Sequence, residues 1–538
     1  METFAKLLLA RADDDRPGLL FEDESCTWAE VVRKARERAP LIRSLSGGPA
    51  RPGNRAAHIG VLLDNVPEYV FWLAAAALEG AVIVGINPTR RGAELAADIR
   101  HTDCDLVVTD AALEPLLAEA DVPRLIVGTD GYAEALRDAP RGTGTVPSPA
   151  DRLLLLFTSG STGAPKAVSC SQGRLAVIAE MGGTFGITRD SVTYVAMPLC
   201  HGNSIMANLA MAVRAGATVV LRRRFSASEF AADVRRHGVT YFNYVGRALA
   251  YILAAGHADP GCTLEAAFGT EASAQDRRAF GERFGCSVVE GYGSSEGSIA
   301  IRRTPQTPPD ALGVAQHGVE ILVIDPETGR ECPRAVFDEG GRMLNPSAIG
   351  ELVGLNSSFE GYYNNPAADA ERLQDGNYHS GDLGYRDEAG FYYFAGRGGD
   401  WLRVDSENFA AAPVERILSR WEPVVMCAVH PVPDARTGDQ VMAALELGGP
   451  FDPDAFAAFL SAQRDLGTKW APRFVRIIGR MPLTATNKVD KKPLRAAGWT
   501  TGDPVWWRPG RELRYIPFED HHRLRAEFRE HGRENLLP

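Results

Sequence analysis

The sequence predicts an α/β fold: a large N-terminal body of βα-layered sheets with a small β-rich subdomain, then a smaller, mobile α+β C-terminal lid. Three observations carry that expectation. From about Trp28 to Leu221, helical patterns alternate with short Val/Ile/Leu runs, the texture of parallel strands buried on both faces. After Ala300 the texture changes to short strands joined by turns. Near Arg397-Gly398-Gly399-Asp400 the chain passes through glycines and then resumes alternating strands and helices to about Ala497. At 538 residues it is too long for one core, so the division expected is a body over 1–399 and a lid over 400–538, with the hinge at Asp400 and a tail from about 503.

Taken in order, Met1 to Leu20 carries Glu2 and Asp13-Asp14-Asp15 where an export signal needs its apolar run. Strands of the body are expected at Ala57–Leu63, Ala81–Ile86, Leu106–Thr109, Arg124–Val127, Leu153–Thr158 and Thr218–Leu221. The long apolar stretch Val70 to Asn87 is broken by Glu79-Gly80, so it reads as a buried helix, a turn and a buried strand rather than a membrane span. In the subdomain Pro305 to Pro309 is loop, and Glu320–Ile324, Gly350–Val353 and Phe391–Phe394 read as strands. The tail from Trp506 to Pro538 has a helical period over Asp520–His531 and packs on the lid or on another copy of the chain.

Composition narrows the function classes. A formal charge of -11 and no long Lys/Arg run argue against nucleic acid as a partner, because affinity for a phosphate backbone comes from basic side chains. Eight cysteines scattered singly, with no CxxC pair, fit a reduced, cytoplasmic protein better than a disulfide framework or a zinc site.

The strongest local signal is Leu153-Leu-Leu-Leu-Phe157 followed by Thr158-Ser159-Gly160-Ser161-Thr162-Gly163-Ala-Pro165-Lys166. A buried strand opening into such a loop offers N–H groups, hydroxyls and one cation to a polyphosphate. It is not the Walker pattern, because Pro165 stands where that motif has glycine. The segment resembles the phosphate loop of the adenylate-forming superfamily of acyl-CoA synthetases, peptide-synthetase adenylation domains and luciferases. Four further motifs follow in that family's order: Gly291-Tyr292-Gly293-Ser294-Ser295-Glu296, Tyr378-His-Ser-Gly-Asp382, Phe394-Ala-Gly-Arg397 through Asp400 and Arg403, and Pro482-Leu-Thr-Ala-Thr-Asn-Lys488.

What the resemblance implies has a chemical reason. A carboxylate attacking the α-phosphate of ATP is a reaction between two anions, so catalysis must neutralise charge and hold the nucleophile in line. By resemblance Lys488 contacts the carboxylate and α-phosphate, Glu296 holds Mg²⁺, and Thr158, Ser159, Ser161, Thr162 and Lys166 guide the β- and γ-phosphates. Asp382 would accept the ribose hydroxyls, Arg397 would donate to the same region, Tyr292 would face adenine, and Gly269-Thr270-Glu271 resembles the adenine-side loop. In that family the lid swings about the residue matching Asp400, so that CoA can enter once Lys488 withdraws.

Met197-Pro-Leu-Cys-His201-Gly-Asn-Ser lacks the aspartate that adenylation domains use for an amino acid. Tyr241 to Gly246, Trp401 to Asn408 and the aromatic tail resemble the fatty-acid-transport and very-long-chain acyl-CoA synthetase branch, which implies a large apolar acid such as a long-chain fatty acid or a steroid-side-chain acid. His201, Met206 and Tyr244 are the substrate-pocket candidates. Three positions depart from the family pattern: Ser295 for threonine, Ser406 for a glycine expected near pantetheine, and Asn487 for the glycine before the lysine. Loading of a carrier protein in place of CoA, and a non-catalytic nucleotide- or lipid-binding homologue, are the competing readings. The partners expected are the acid, ATP and CoA, with peripheral membrane contact and a homodimer left open.

Overall fold

The structure is a computed structural model that describes residues 2–46, 55–139, 146–158, 166–246, 248–256, 261–270, 272–339, 343–397, 401–404, 407–435, 438–467, 469–484, 488–510, 512–519 and 521–537. The chain forms two compact units. One contains 1–290, 294–297 and 358–371; the other contains 291–293, 298–357 and 372–538.

The first unit holds two largely parallel sheets. One runs Arg124–Val127, Leu106–Asp110, His58–Leu62, Val82–Gly85, Arg152–Phe157 and Ala167–Ser171, all parallel except the last strand, which returns antiparallel to Arg152–Phe157. Parallel neighbours need a crossover. Between His58–Leu62 and Val82–Gly85 that crossover is the helix Pro67–Glu79, with Pro at its first turn and Gly80 closing it at φ 67°. Its residues Tyr69 to Ala77 are all buried, as an all-apolar helix requires. The stretch from Val70 to Asn87 is thus helix, left-handed turn and strand. Among the described residues no helix is long and apolar enough to cross a membrane.

The second sheet of this unit orders Ser287–Gly293, Ala266–Thr270, Tyr241–Val245, Val192–Val195, Thr218–Leu221 and Pro17–Phe21 in parallel, edged by the antiparallel strand Glu24–Thr27. Every residue of Tyr241–Val245 is buried, which explains why that strand carries no polar alternation.

The second unit begins where Gly291–Gly293 pairs antiparallel with Ala300–Arg302. Its antiparallel subdomain joins Ile321–Ile324, Gly350–Gly354, Asn377–Arg386 and Tyr392–Arg397. Its C-terminal part is a sheet ordered Val424–Pro433, Asp439–Leu447, Phe474–Ile477, Val505–Trp507 and Ile516–Pro517. A parallel pair there, Asp439–Leu447 with Phe474–Ile477, is bridged by the helix Pro453–Ala462, whose N-cap Asp452 accepts from the N–H groups of Asp454 and Ala455. The tail adds its own strands to this sheet and buries Trp507, Phe518 and Phe528 with Phe474 and Trp499, so it packs on the C-terminal sheet. All eight cysteines are free thiols.

Candidate active site

In the first unit the strand Arg152–Phe157 buries Leu153 to Leu156, and the loop that follows is closed at its base where Thr158 N–H donates to the Lys166 carbonyl at 3.1 Å. Ser159, Gly160, Ser161, Thr162 and Gly163 lie outside the described residues. Lys166 Nζ sits 3.2 Å from Glu371 Oε2 and 5.7 Å from the centre of the Tyr362 ring. The Tyr362 hydroxyl donates to Glu296 Oε1 at 2.8 Å. Glu296, buried to 7% exposure, and Lys166 therefore meet through one aromatic side chain.

Strand pairing builds this cluster. Ser169 N–H donates to the Gly361 carbonyl at 3.0 Å and Tyr363 N–H to the Ala167 carbonyl at 2.8 Å, so the segment around Tyr362 lies along the edge strand that follows Lys166. Glu360 accepts from both Ser171 N–H and Ser171 Oγ at 2.6 Å. Arg174, in the helix capped by Ser171, reaches back to the carbonyls of Ser295, at 2.5 Å, and Ser169, at 3.0 Å. Two charge-assisted bonds from one guanidinium thus brace the backbone next to Glu296. The Ser294 carbonyl accepts from Gly297 N–H at 3.0 Å and closes the same turn. Sequence reasoning missed Tyr362, Glu360, Arg174 and Glu371, which carry no local signature of their own.

A hard cation such as Mg²⁺ is typically held by one or two carboxylates together with substrate phosphates and water. The donor set fits. A carboxylate has about four acceptor sites, and the Tyr362 proton occupies one of those on Glu296.

Beside this cluster Asn65 brackets the turn before His201, donating to the Met197 carbonyl at 2.9 Å and accepting from Leu199 N–H at 2.8 Å. His201 stands at the N-cap of a short helix, Gly202–Ser204, that widens into a π turn over Ile205–Leu209, and Met206 lies in that turn, half-buried. A methyl group on Gly202 would stand 3.4 Å from Ser295 Oγ and 3.5 Å from Met206 Sδ, so Met206 and Ser295 flank one glycine. Burial pushes the neighbouring Cys200 thiol up to about 12, which removes it as a nucleophile at neutral pH.

Tyr244, read as a pocket residue, has no exposed surface: its hydroxyl donates to Glu290 Oε1 at 3.3 Å, and Glu290 is held in turn by Arg277 and by Ala272 N–H. Burial, reinforced by Glu290, pushes its phenol well above the usual range and keeps it a neutral donor. Gly269 permits this packing, because a methyl there would come within 2.5 Å of the Tyr244 ring. The Thr270 carbonyl accepts from Gly246 N–H at 3.0 Å, and Glu271 lies outside the described residues.

In the second unit the Tyr292 hydroxyl donates to Asp382 Oδ2 at 2.5 Å, and its ring lies 6.2 Å from that of Phe394. Gly291 and Gly293 flank it on the strand paired with Ala300–Arg302. Asp382 is set by a local kink: Gly381 takes φ 71°, its N–H donates to Glu351 Oε1 at 2.7 Å, and Asp382 N–H donates to Ser380 Oγ at 3.0 Å. Backbone pairing sets Arg397 opposite Asp382, while the Arg397 side chain lies outside the described atoms. Asp400 and Ser406 lie outside the described residues, and Arg403 pairs by backbone with Asn408 in the hairpin Trp401–Val404 and Glu407–Ala410. Lys488 closes a loop in which Thr484 N–H donates to its carbonyl at 2.7 Å and its own N–H donates to Thr484 Oγ1 at 3.2 Å. Asn487 lies outside the described residues.

Comparison with known proteins matches residues 9–363 to the AMP-binding enzyme family and residues 413–488 to the AMP-binding enzyme C-terminal domain. Steroid-22-oyl-CoA synthetase of Rhodococcus jostii is 49% identical, with 99% of each chain covered. The medium/long-chain-fatty-acid–CoA ligase FadD17 of Mycobacterium tuberculosis is 45% identical over 94% of this chain and 98% of its own. Human long-chain fatty acid transport protein 5 is 29% identical over 92% of this chain and 77% of its own. Among solved structures, an anthranilate CoA ligase in complex with anthranoyl-AMP superimposes with a TM-score of 0.81 at 21% identity, covering 93% of this chain and 97% of its own, a likeness of fold. The resemblance read from five ordered motifs holds, and the chain belongs to the AMP-binding enzyme family.

Proposed function

We propose that the chain is an AMP-forming acid–thiol ligase that activates a large apolar carboxylic acid with ATP and Mg²⁺ and passes the acyl group to CoA. One observation carries the reading: Glu296 and Lys166 meet on Tyr362 at the base of the phosphate loop, within a chain 49% identical to a steroid-22-oyl-CoA synthetase. An acid and a cation so arranged suit a metal-bound polyphosphate.

In the first step a carboxylate oxygen attacks the α-phosphorus, forming an acyl–phosphate bond as pyrophosphate leaves. In the second the CoA thiol, losing its proton, attacks the acyl carbon, and AMP departs. Glu296 would hold Mg²⁺, and the charge a bound divalent cation supplies would offset that of the phosphates. Thr158, Lys166 and the loop between them would cradle the β- and γ-phosphates, Asp382 the ribose, and Lys488 the carboxylate and α-phosphate. Movement about Asp400 would take Lys488 in and out between the two steps.

The acid is assigned as a long-chain fatty acid or steroid-side-chain acid because the relatives act on acids of those kinds. An apolar acyl group gains about 0.8 kcal/mol per buried methylene, a graded preference for size. His201 and Met206, both partly exposed, are proposed to border that group; Met206 lies with Ser295 about Gly202. Eight free thiols support a reducing, cytoplasmic setting.

The test incubates the protein with ATP, Mg²⁺, CoA and acids from medium-chain to steroid-side-chain, reading AMP release. The expected result is CoA-dependent turnover with the larger acids, and loss of ATP–pyrophosphate exchange in Lys488→Ala with ATP binding kept. Exchange unchanged in that variant removes the mechanism. AMP release that needs a carrier protein in place of CoA removes the acceptor.

A further inference from the structure

We infer that Tyr362 is a positioning residue for the proposed reaction: its hydroxyl fixes the Glu296 carboxylate and its ring face carries the Lys166 ammonium, so that one side chain sets both the metal acid and the phosphate-loop cation. The inference rests on the roles proposed above for those two residues and assigns a third group that acts through them.

The chain itself supplies the contacts that place Tyr362. Tyr362 is 6% exposed, and its backbone is pinned on both sides by the Ser169–Gly361 and Tyr363–Ala167 hydrogen bonds. Its own N–H donates to Asp369 Oδ1 at 2.7 Å, and Phe359 packs against the ring edge-on at 4.8 Å. The ring is therefore held by its backbone pairing and by Phe359, on elements other than those that carry Glu296 and Lys166. A buried phenol needs an acceptor, and a backbone carbonyl would satisfy it. Here the acceptor is a buried carboxylate at 2.8 Å, which keeps its remaining lone pairs for a cation. A metal acid fixed in advance pays less to order on binding.

The other face follows the same logic. Lys166 Nζ stands 5.7 Å from the ring centre and 3.2 Å from Glu371, whose side chain is 62% exposed. An ion pair that open to water is weak, so phosphate oxygens can replace Glu371 while the ammonium keeps its place over the ring.

The experiment measures equilibrium ATP binding by calorimetry, with and without Mg²⁺, for the full chain and four variants: Tyr362→Phe, Tyr362→Leu, Glu296→Gln and the Glu296→Gln/Tyr362→Phe double variant. Tyr362→Phe keeps the ring and removes the hydroxyl. The gain in ATP affinity that Mg²⁺ confers should then shrink about tenfold, the low end for losing a hydrogen bond to a charged group, while metal-free ATP affinity stays unchanged. Tyr362→Leu removes the ring as well and should weaken ATP binding under both conditions. In a Glu296→Gln background, Tyr362→Phe should add nothing, because its partner is already gone. If Tyr362→Phe keeps the full Mg²⁺ gain while Glu296→Gln loses it, the positioning role is wrong and the metal role stands. Loss of metal-free ATP binding in Tyr362→Phe would show a structural role and also overturn the inference. If Glu296→Gln keeps the full gain, the metal role proposed for Glu296 fails, and the inference with it.

Discussion

Lowering the pH should loosen the C-terminal sheet through one imidazole, His430. It lies on Val424–Pro433 with no exposed surface, and burial holds its pKa down to about 4, with smaller contributions from Lys491 and Arg476; a contact with the Pro431 carbonyl and the Glu415 charge oppose them. The unfolded chain takes up the proton near the ordinary 6.5, whereas the folded chain does so near 4. Folding therefore excludes a proton within that window. The associated stability is fully present above pH 6.5, falls as the pH drops towards 4, and is constant below. At 1.36 kcal/mol per pKa unit, the contribution at pH 5 is about 2 kcal/mol less than at pH 7. Hydrogen–deuterium exchange of the Val424–Pro433 amides, corrected for the intrinsic pH dependence of exchange, reads the opening free energy of this strand. The difference in that free energy between the wild-type chain and His430→Gln should narrow by about 2 kcal/mol from pH 7 to pH 5. A difference that stays constant would mean that this imidazole is not held neutral by folding, and would refute the reasoning.

Three further outcomes follow from the site. Asp382→Asn replaces the charge that accepts from Tyr292 and is proposed to take the ribose hydroxyls; equilibrium ATP binding should weaken roughly tenfold to a hundredfold with the fold retained by circular dichroism. Gly381→Ala puts a methyl against Arg372 Nη1 at a backbone with φ 71°, so thermal unfolding should show a loss of about 1–2 kcal/mol, and the KM for ATP should rise as Asp382 is displaced. Arg174→Ala removes donors from the carbonyls of Ser295 and Ser169; the rate of ATP–pyrophosphate exchange should fall, and Arg174→Lys should not restore it, because an ammonium does not reproduce the guanidinium fork that spans both acceptors.

Much was legible in the sequence because its signals are local. The apolar runs that mark His58–Leu62, Val82–Gly85 and Arg152–Phe157 arise from burial on both faces, and Gly80 marks the end of Pro67–Glu79 because only a left-handed residue closes that helix there. The motif residues Thr158, Lys166, Glu296, Asp382 and Lys488 were found by their order along the chain, and their roles remain proposals. Strand partners were not legible, because periodicity shows that a strand is buried and not which strand lies beside it. The strands of the body separate into two sheets, and the tail supplies two strands to the C-terminal sheet.

The sequence by itself determined the α/β class, the order of the motifs and the chemistry those motifs can serve, since each of these depends on residue type and short-range spacing. Only the tertiary structure decided that Tyr362 lies between Glu296 and Lys166, that Arg174 braces Ser295, and that Tyr244 is enclosed with Glu290. Those contacts join residues separated by 46 to 196 positions, among them Tyr244 with Glu290 and Lys166 with Tyr362, through strand pairing and burial. Their energy comes from groups that meet only after the sheets have formed, so no local pattern in the chain announces them.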